Sequence, residues 1–181
     1  MNKKSGFTLA EVLVTLMIIG VIAAMTIPSL MQSTSQQEYK AAFKKGISML
    51  NQAITLNYAL DGRDATDFTS TNFFHLMTQR LNVMSSKVKT QYDVYTADGM
   101  YFSPQSGAHA GLTPAACAIE AANPGGPSNV CAVVQVDVNG MKGPNKPSDS
   151  TTRVYDIFTV AVYPQKALPA TYTQSQILYR K

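Results

Sequence analysis

A single carboxylate, Glu11, lies within an otherwise apolar run from Gly6 to Leu30, GFTLAEVLVTLMIIGVIAAMTIPSL. From Val12 to Met25 the only polar residue is Thr15. A carboxylate at the middle of a membrane helix costs about 2.5–3.5 kcal/mol on insertion scales, and less near the interface. Such a group calls for a cation, and the apolar residues around it offer none. Two other constellations could do chemistry. Cys117 and Cys131, with the thirteen residues AIEAANPGGPSNV between them, fit one disulfide closing a Gly/Pro-rich loop in an exported domain. Two free, buried cysteines are the alternative. Asp137-Val138-Asn139-Gly140 places carboxylate and amide oxygens at a spacing that suits Ca²⁺, with Asp149 or Asp156 as further donors. It lacks the additional acidic ligands and the bidentate glutamate of an EF-hand loop, and Asp-x-Asn-Gly is more commonly a hairpin turn. No resident metal or cofactor is therefore expected.

Nothing assembles a catalytic centre. The two histidines, His75 and His109, are not at ligand spacing from the cysteines, and there is no G-x-S-x-G, no H-E-x-x-H and no phosphate loop. An enzyme is not expected. Charged residues are 14% of the chain, and the net charge is +4. Without Lys3 and Lys4, 13 basic residues face 11 acidic ones, so the basic pI does not argue for a nucleic-acid surface. Lys40, Lys44 and Lys45 form the one cluster, which reads as a solvated helix face.

The elements that hold these residues follow from periodicity. At about 1.5 Å per residue, some 20 helical residues cross a hydrocarbon core, so the first apolar run is long enough. Lys3 and Lys4 should then remain cytoplasmic, with the rest of the chain outside. Pro28 removes a backbone donor and its ring opposes the Ala24 carbonyl, which predicts a kink or local melting between Gly20 and Pro28. After the polar stretch at residues 33–37, Tyr39, Phe43, Ile47, Leu50, Ile54 and Tyr58 recur as one helical face, with Ala42, Gly46 and Ala53 permitting close approach. The helix should stop at Asp61-Gly62. If continuous from Phe7 to Leu60 it would reach about 80 Å. That is more than one domain of ordinary size needs, so its first half must find a membrane or other copies.

Further along, Thr71 to Met84 reads as a short helix. Tyr92–Tyr95 and Met100–Phe102 flank a hairpin signal at Asp98-Gly99. Residues 104–129 read as an irregular loop. Ala132–Val138 and Val154–Tyr163 read as strands, with a further strand around Ile177–Tyr179. The expected fold class is α+β: a long N-terminal helix whose second half packs on a small antiparallel sheet of three to five strands.

Lys4-Ser5-Gly6-Phe7-Thr8-Leu9-Ala10-Glu11 resembles the processing site of type IV prepilins and type II secretion pseudopilins. A short basic leader, a glycine, an aromatic residue, a glutamate four positions later and a proline, Pro28, all coincide. The resemblance is strong over residues 3 to about 31 and weak beyond about 60. It implies a pilin-like fold divided into a leader (1–6), a transmembrane and assembly helix (7–31) and an extracytoplasmic domain (32–181). It implies cleavage after Gly6 by a membrane-embedded prepilin peptidase and N-methylation of Phe7. It also implies anchoring in inner-membrane lipid, and then assembly with other pilin or pseudopilin subunits by an inner-membrane machinery. Glu11 of one subunit would meet the Phe7 amine of the next, a pair that sets register more surely than it adds stability. Pro28 would be a weak point that lets the helix unwind on packing. Against this stand an ordinary signal peptide cut near Ala23-Ala24-Met25, and a Glu11 that only reaches to the headgroups. The competing function is a monomeric, membrane-anchored binding domain. No specific nucleic-acid partner is expected.

Overall fold

A computed structural model of the chain describes residues 6–67, 70–84, 93–104, 117, 130–140 and 142–179. Its contacts divide the chain into two compact units, Met1–Gln37 and Glu38–Lys181. One helix, α1 (Leu9–Asp61), contributes to both.

Within the first unit α1 remains helical through Pro28. The local melting expected between Gly20 and Pro28 is therefore not present. The polar stretch that follows is helical too, because its hydroxyls fold back on carbonyls of the preceding turn. Ser33 and Thr34 donate to Leu30 O at 2.9 and 3.0 Å, and Ser35 donates to Met31 O at 2.9 Å. Hydroxyls that answer their own helix do not compete with it.

In the second unit α1 buries Phe43, Gly46, Ile47, Leu50, Ala53, Ile54 and Asn57. The face follows the expected three- and four-residue steps but does not end on Tyr58, which is 50% exposed. Asn57 takes that place, and its amide donates to Arg63 O at 2.9 Å, tying down the chain after the helix. Gly62, at φ +65°, closes α1 with its N–H on Tyr58 O at 3.0 Å. A Cβ on Gly46 would come within 3.3 Å of Val136 Cγ1, so the helix approaches the sheet closely there. One turn earlier, Phe43 stacks on Phe158 with ring centroids 4.0 Å apart. Lys45 leaves the expected lysine face to pair with Asp98 at 2.6 Å. Exposed as it is, that pair contributes at most about 1 kcal/mol.

A 3₁₀ turn (Ala65–Asp67) and α2 (Ser70–Arg80) follow. The helix expected over 71–84 ends at Arg80, which pairs with Asp61 at 2.5 Å. The sheet then comprises β1 (Val94–Tyr95), β2 (Tyr101–Pro104), β3 (Ala132–Asp137), β4 (Ile157–Tyr163) and β5 (Lys166–Pro169). Neighbours in the order β1-β2-β3-β4-β5 pair antiparallel throughout. The hairpin at Asp98-Gly99 is present, with Gly99 at φ +87°. The loop expected over 104–129 lies largely outside the described residues, as does Tyr92.

The C-terminal strand expected around Ile177–Tyr179 is instead part of α3 (Tyr172–Tyr179). Thr171 caps this helix: its hydroxyl accepts the Gln174 N–H at 3.2 Å, and Gln174, Ile177 and Leu178 turn inward at helical spacing. The fifth strand is β5, reached from β4 by Pro164-Gln165, two residues without the Asn-Gly or Asp-Gly signature that marks a tight hairpin.

Among the described residues, backbone groups on both edge strands are taken by other parts of the chain. On β5, Asn51 of α1 acts as a surrogate strand residue. Its Oδ1 accepts Ala167 N–H at 2.8 Å and its Nδ2 donates to Ala167 O at 3.0 Å. Pro169 has no N–H to offer a further strand. On β1, Met84 donates to Tyr95 O at 2.7 Å and Ala97 donates to Asn82 O at 2.9 Å. Strand addition therefore has no free template at these positions.

Candidate processing and assembly site

Glu11 does have a partner within its own chain. Its Oε2 accepts Thr8 N–H at 2.7 Å and the Thr8 hydroxyl at 2.8 Å, while Thr8 Oγ1 accepts Glu11 N–H at 3.3 Å. This is a capping box: Thr8 precedes the first turn of α1, and Glu11 returns to satisfy a backbone donor the helix leaves free. The signal was legible as Thr-x-x-Glu before an apolar run, and reading Glu11 only for its charge missed Thr8. The correction matters. The carboxylate is held at the helix start, directed back toward the residues that precede it.

Around that box the chain is bare. Phe7 is 91% exposed, and the large apolar side chains from Leu9 to Met31 are exposed along the helix. Nothing in the first unit covers them, and α1 is long and apolar enough to cross a membrane. A segment this apolar, exposed on all sides, requires lipid or other protein around it.

The other candidate residues sit in the second unit. A disulfide joins Cys117 to Cys131. Both are buried, and Cys131 enters β3 with its N–H on Val162 O at 2.7 Å. Asp137 and Asn139 lie at the end of β3 in a turn knotted by hydrogen bonds. Asp137 Oδ1 accepts Asn139 N–H at 3.2 Å, and Asn139 Nδ2 donates to Gly143 O at 3.1 Å. Gly140 at φ +66° lies so close to the neighbouring hairpin that a Cβ would meet Gly99 O at 2.5 Å. Asp156 does not lead a strand from Val154 as expected. Its fully buried carboxylate turns back to accept the N–H groups of Asn145 and Lys146 at 2.7 and 2.9 Å.

Asp137 Oδ2, Gly140 O and Lys142 O converge on the end of the Asn145 side chain, each at 3.1 Å. With its amide nitrogen toward them, Asn145 offers two N–H donors to this group of three oxygens. The amide of Asn145 thus occupies the point where these oxygens converge, and among the described residues no group of three metal-binding side chains is gathered. The residues fit a hydrogen-bonded turn better than a cation cage. Calcium or a chelator is accordingly expected to leave the thermal midpoint unchanged; a rise of several degrees with calcium, lost in Asp137→Asn, would contradict this.

Tyrosine hydroxyls near these turns are structural. Burial, and then the carboxylate of Asp156, raise the Tyr39 phenol above its ordinary value. Burial pushes Tyr101 up to about 12. Neither group titrates near neutral pH.

Residues 1–27 match the family profile described as the prokaryotic N-terminal methylation motif. That is a prepilin-type cleavage and methylation sequence, so the chain has the N-terminus of a type IV pilin- or pseudopilin-like precursor. The motif belongs to structural subunits and not to an enzyme family. No curated protein and no solved structure matches the chain significantly.

Proposed function

We propose that this chain is a structural subunit of a type IV pilus or a type II secretion pseudopilus. A prepilin peptidase cuts it after Gly6 and the new N-terminus at Phe7 is methylated. The subunit waits in the inner membrane as a single-pass protein with residues 32–181 outside the cytoplasm. The assembly machinery then draws it into a filament through residues 7–31. The observation that carries this reading is the coincidence of the methylation motif with an apolar helix exposed along its whole first unit.

The Thr8–Glu11 box adds a reason for the position of the charge. Cleavage after Gly6 leaves the Phe7–Thr8 peptide intact, so the box survives processing and holds the carboxylate one turn from the new amine. Pro28 is helical in the isolated subunit, and any unwinding belongs to the assembled state.

The reading is tested by shearing filaments from cells with and without the prepilin peptidase. The chain is expected in the sheared fraction only when the peptidase is present. Its presence in neither strain, with all of it in the membrane as a folded monomer, would favour a membrane-anchored binding domain instead.

A further inference from the structure

Thr8 fixes where α1 begins, and with it the state of the peptide bond between Gly6 and Phe7. Gly6, Phe7 and Thr8 lie outside the helix and are exposed. The ladder opens with Val12 N–H donating to Thr8 O at 3.3 Å, so the Gly6 carbonyl takes no part in it. The sequence offers a second start three residues upstream. Ser5 is also a capping type, and a helix begun there would carry Gly6, Phe7 and Thr8 in its first turn, with the Gly6 carbonyl accepting from Ala10. The box decides between the two. Three residues after Thr8 stands Glu11, which accepts the Thr8 N–H at 2.7 Å; three residues after Ser5 stands Thr8, which has no carboxylate to return. Glycine at the head of the longer helix is a poor helix former as well.

Gly6 itself has no task inside the chain. A Cβ there would meet nothing within 4 Å, and its φ is not left-handed, unlike those of Gly62, Gly99 and Gly140. A glycine that the fold does not need suits close approach by another molecule. Hydrolysis at this point adds water to the Gly6 carbonyl carbon. The C–N bond to Phe7 breaks, the carboxylate stays on Gly6 and the proton goes to the Phe7 nitrogen. In a helix that carbonyl would already be an acceptor, packed against the following turn; outside the helix it is open to attack.

We propose that Thr8 is a positioning residue for removal of the leader: by starting α1 at Leu9, it keeps the Gly6–Phe7 peptide in the non-helical form that the peptidase cuts. This rests on the processing reading above.

The test uses the full precursor in detergent with a purified prepilin peptidase, and reads KM and kcat of leader release by mass spectrometry. Gly6-Phe7 is the only Gly-Phe pair in the sequence, so carbonyl-¹³C glycine with ¹⁵N phenylalanine gives one amide signal, that of this peptide. Its carbonyl shift reports whether Gly6 is helical, and in the unaltered chain it should not be. Loss of a cap shifts the balance of the two starts about fivefold, and leucine is the better helix former. Thr8→Leu should therefore move the signal toward the helical value. It should also raise KM about threefold with kcat unchanged, as for a substrate whose competent form is depleted. Glu11→Ala, which leaves Thr8 in place, should move both readouts the same way, and Thr8→Ser, which keeps the hydroxyl, should restore both. An unchanged KM in Thr8→Leu would overturn the proposal, whether or not the signal moves. So would a raised KM with an unmoved signal, because the peptidase would then be reading the Thr8 side chain itself. If the unaltered chain is not cut at all, the processing reading falls, and this proposal with it.

Discussion

Glu11→Ala should insert into the membrane normally and fail to appear in filaments. The substitution removes two things of different size. Loss of the capping box weakens the start of α1 by about 1 kcal/mol, which a long helix tolerates. In the proposed filament, loss of the charge would leave the Phe7 amine of the neighbouring subunit desolvated without a partner, about 3–5 kcal/mol at each interface. That corresponds to more than about a hundredfold weaker association per contact. Glu11→Gln separates the two effects, because glutamine also serves at this position of a capping box but carries no charge. Both variants should therefore lose filaments, measured as the sheared fraction against the membrane fraction. Normal filaments from Glu11→Gln would show that the cap, and not the ion pair, is what assembly needs.

Phe43→Ala should cost the domain about 3–5 kcal/mol, the range for removing a fully buried aromatic side chain. Phe43 is wholly buried and stacks on Phe158 of β4, so it links the second half of α1 to the sheet. Deleting it opens a cavity beneath a helix that Gly46 has already brought within contact of Val136, where the backbone has little room to collapse further. Thermal unfolding of the purified chain in detergent would measure the loss. Phe158→Ala should act similarly, and the double variant should fall short of the sum by about 0.5–1.5 kcal/mol, the worth of the stacked pair. A loss below about 1 kcal/mol for Phe43→Ala would mean that the helix is held on the sheet mainly by other contacts.

Much of this arrangement was readable from residue order, for physical reasons that differ by element. The buried face of α1 announced itself because Phe43, Ile47, Leu50 and Ile54 repeat at the helical period and small residues lie beside them. The hairpin at Asp98-Gly99 was readable because a positive φ there favours glycine. The strand β3 was readable from its apolar run. Where reading failed, the deciding contact lay far away in sequence or in a weaker local signal. The face of α1 ends at Asn57 because Arg63 O takes its amide. The strand β5 is completed by Asn51, 116 residues earlier. Asp156 leaves the strand pattern because the amides of Asn145 and Lys146 claim its carboxylate. For α3 the cap at Thr171 is a short local signal, and the apolar residues Ile177 and Leu178 suit a strand as well as a helix. At the candidate site, the charge of Glu11 was conspicuous and its cap was not.

The most direct test is the mass of the mature N-terminus. The chain, recovered from cells that contain a prepilin peptidase, should begin at Phe7 with one methyl group on its amine. An intact Met1, or a cut after Ala24, would contradict the account: in the first case the Phe7 amine is never freed, and in the second Glu11 is removed with the cleaved segment.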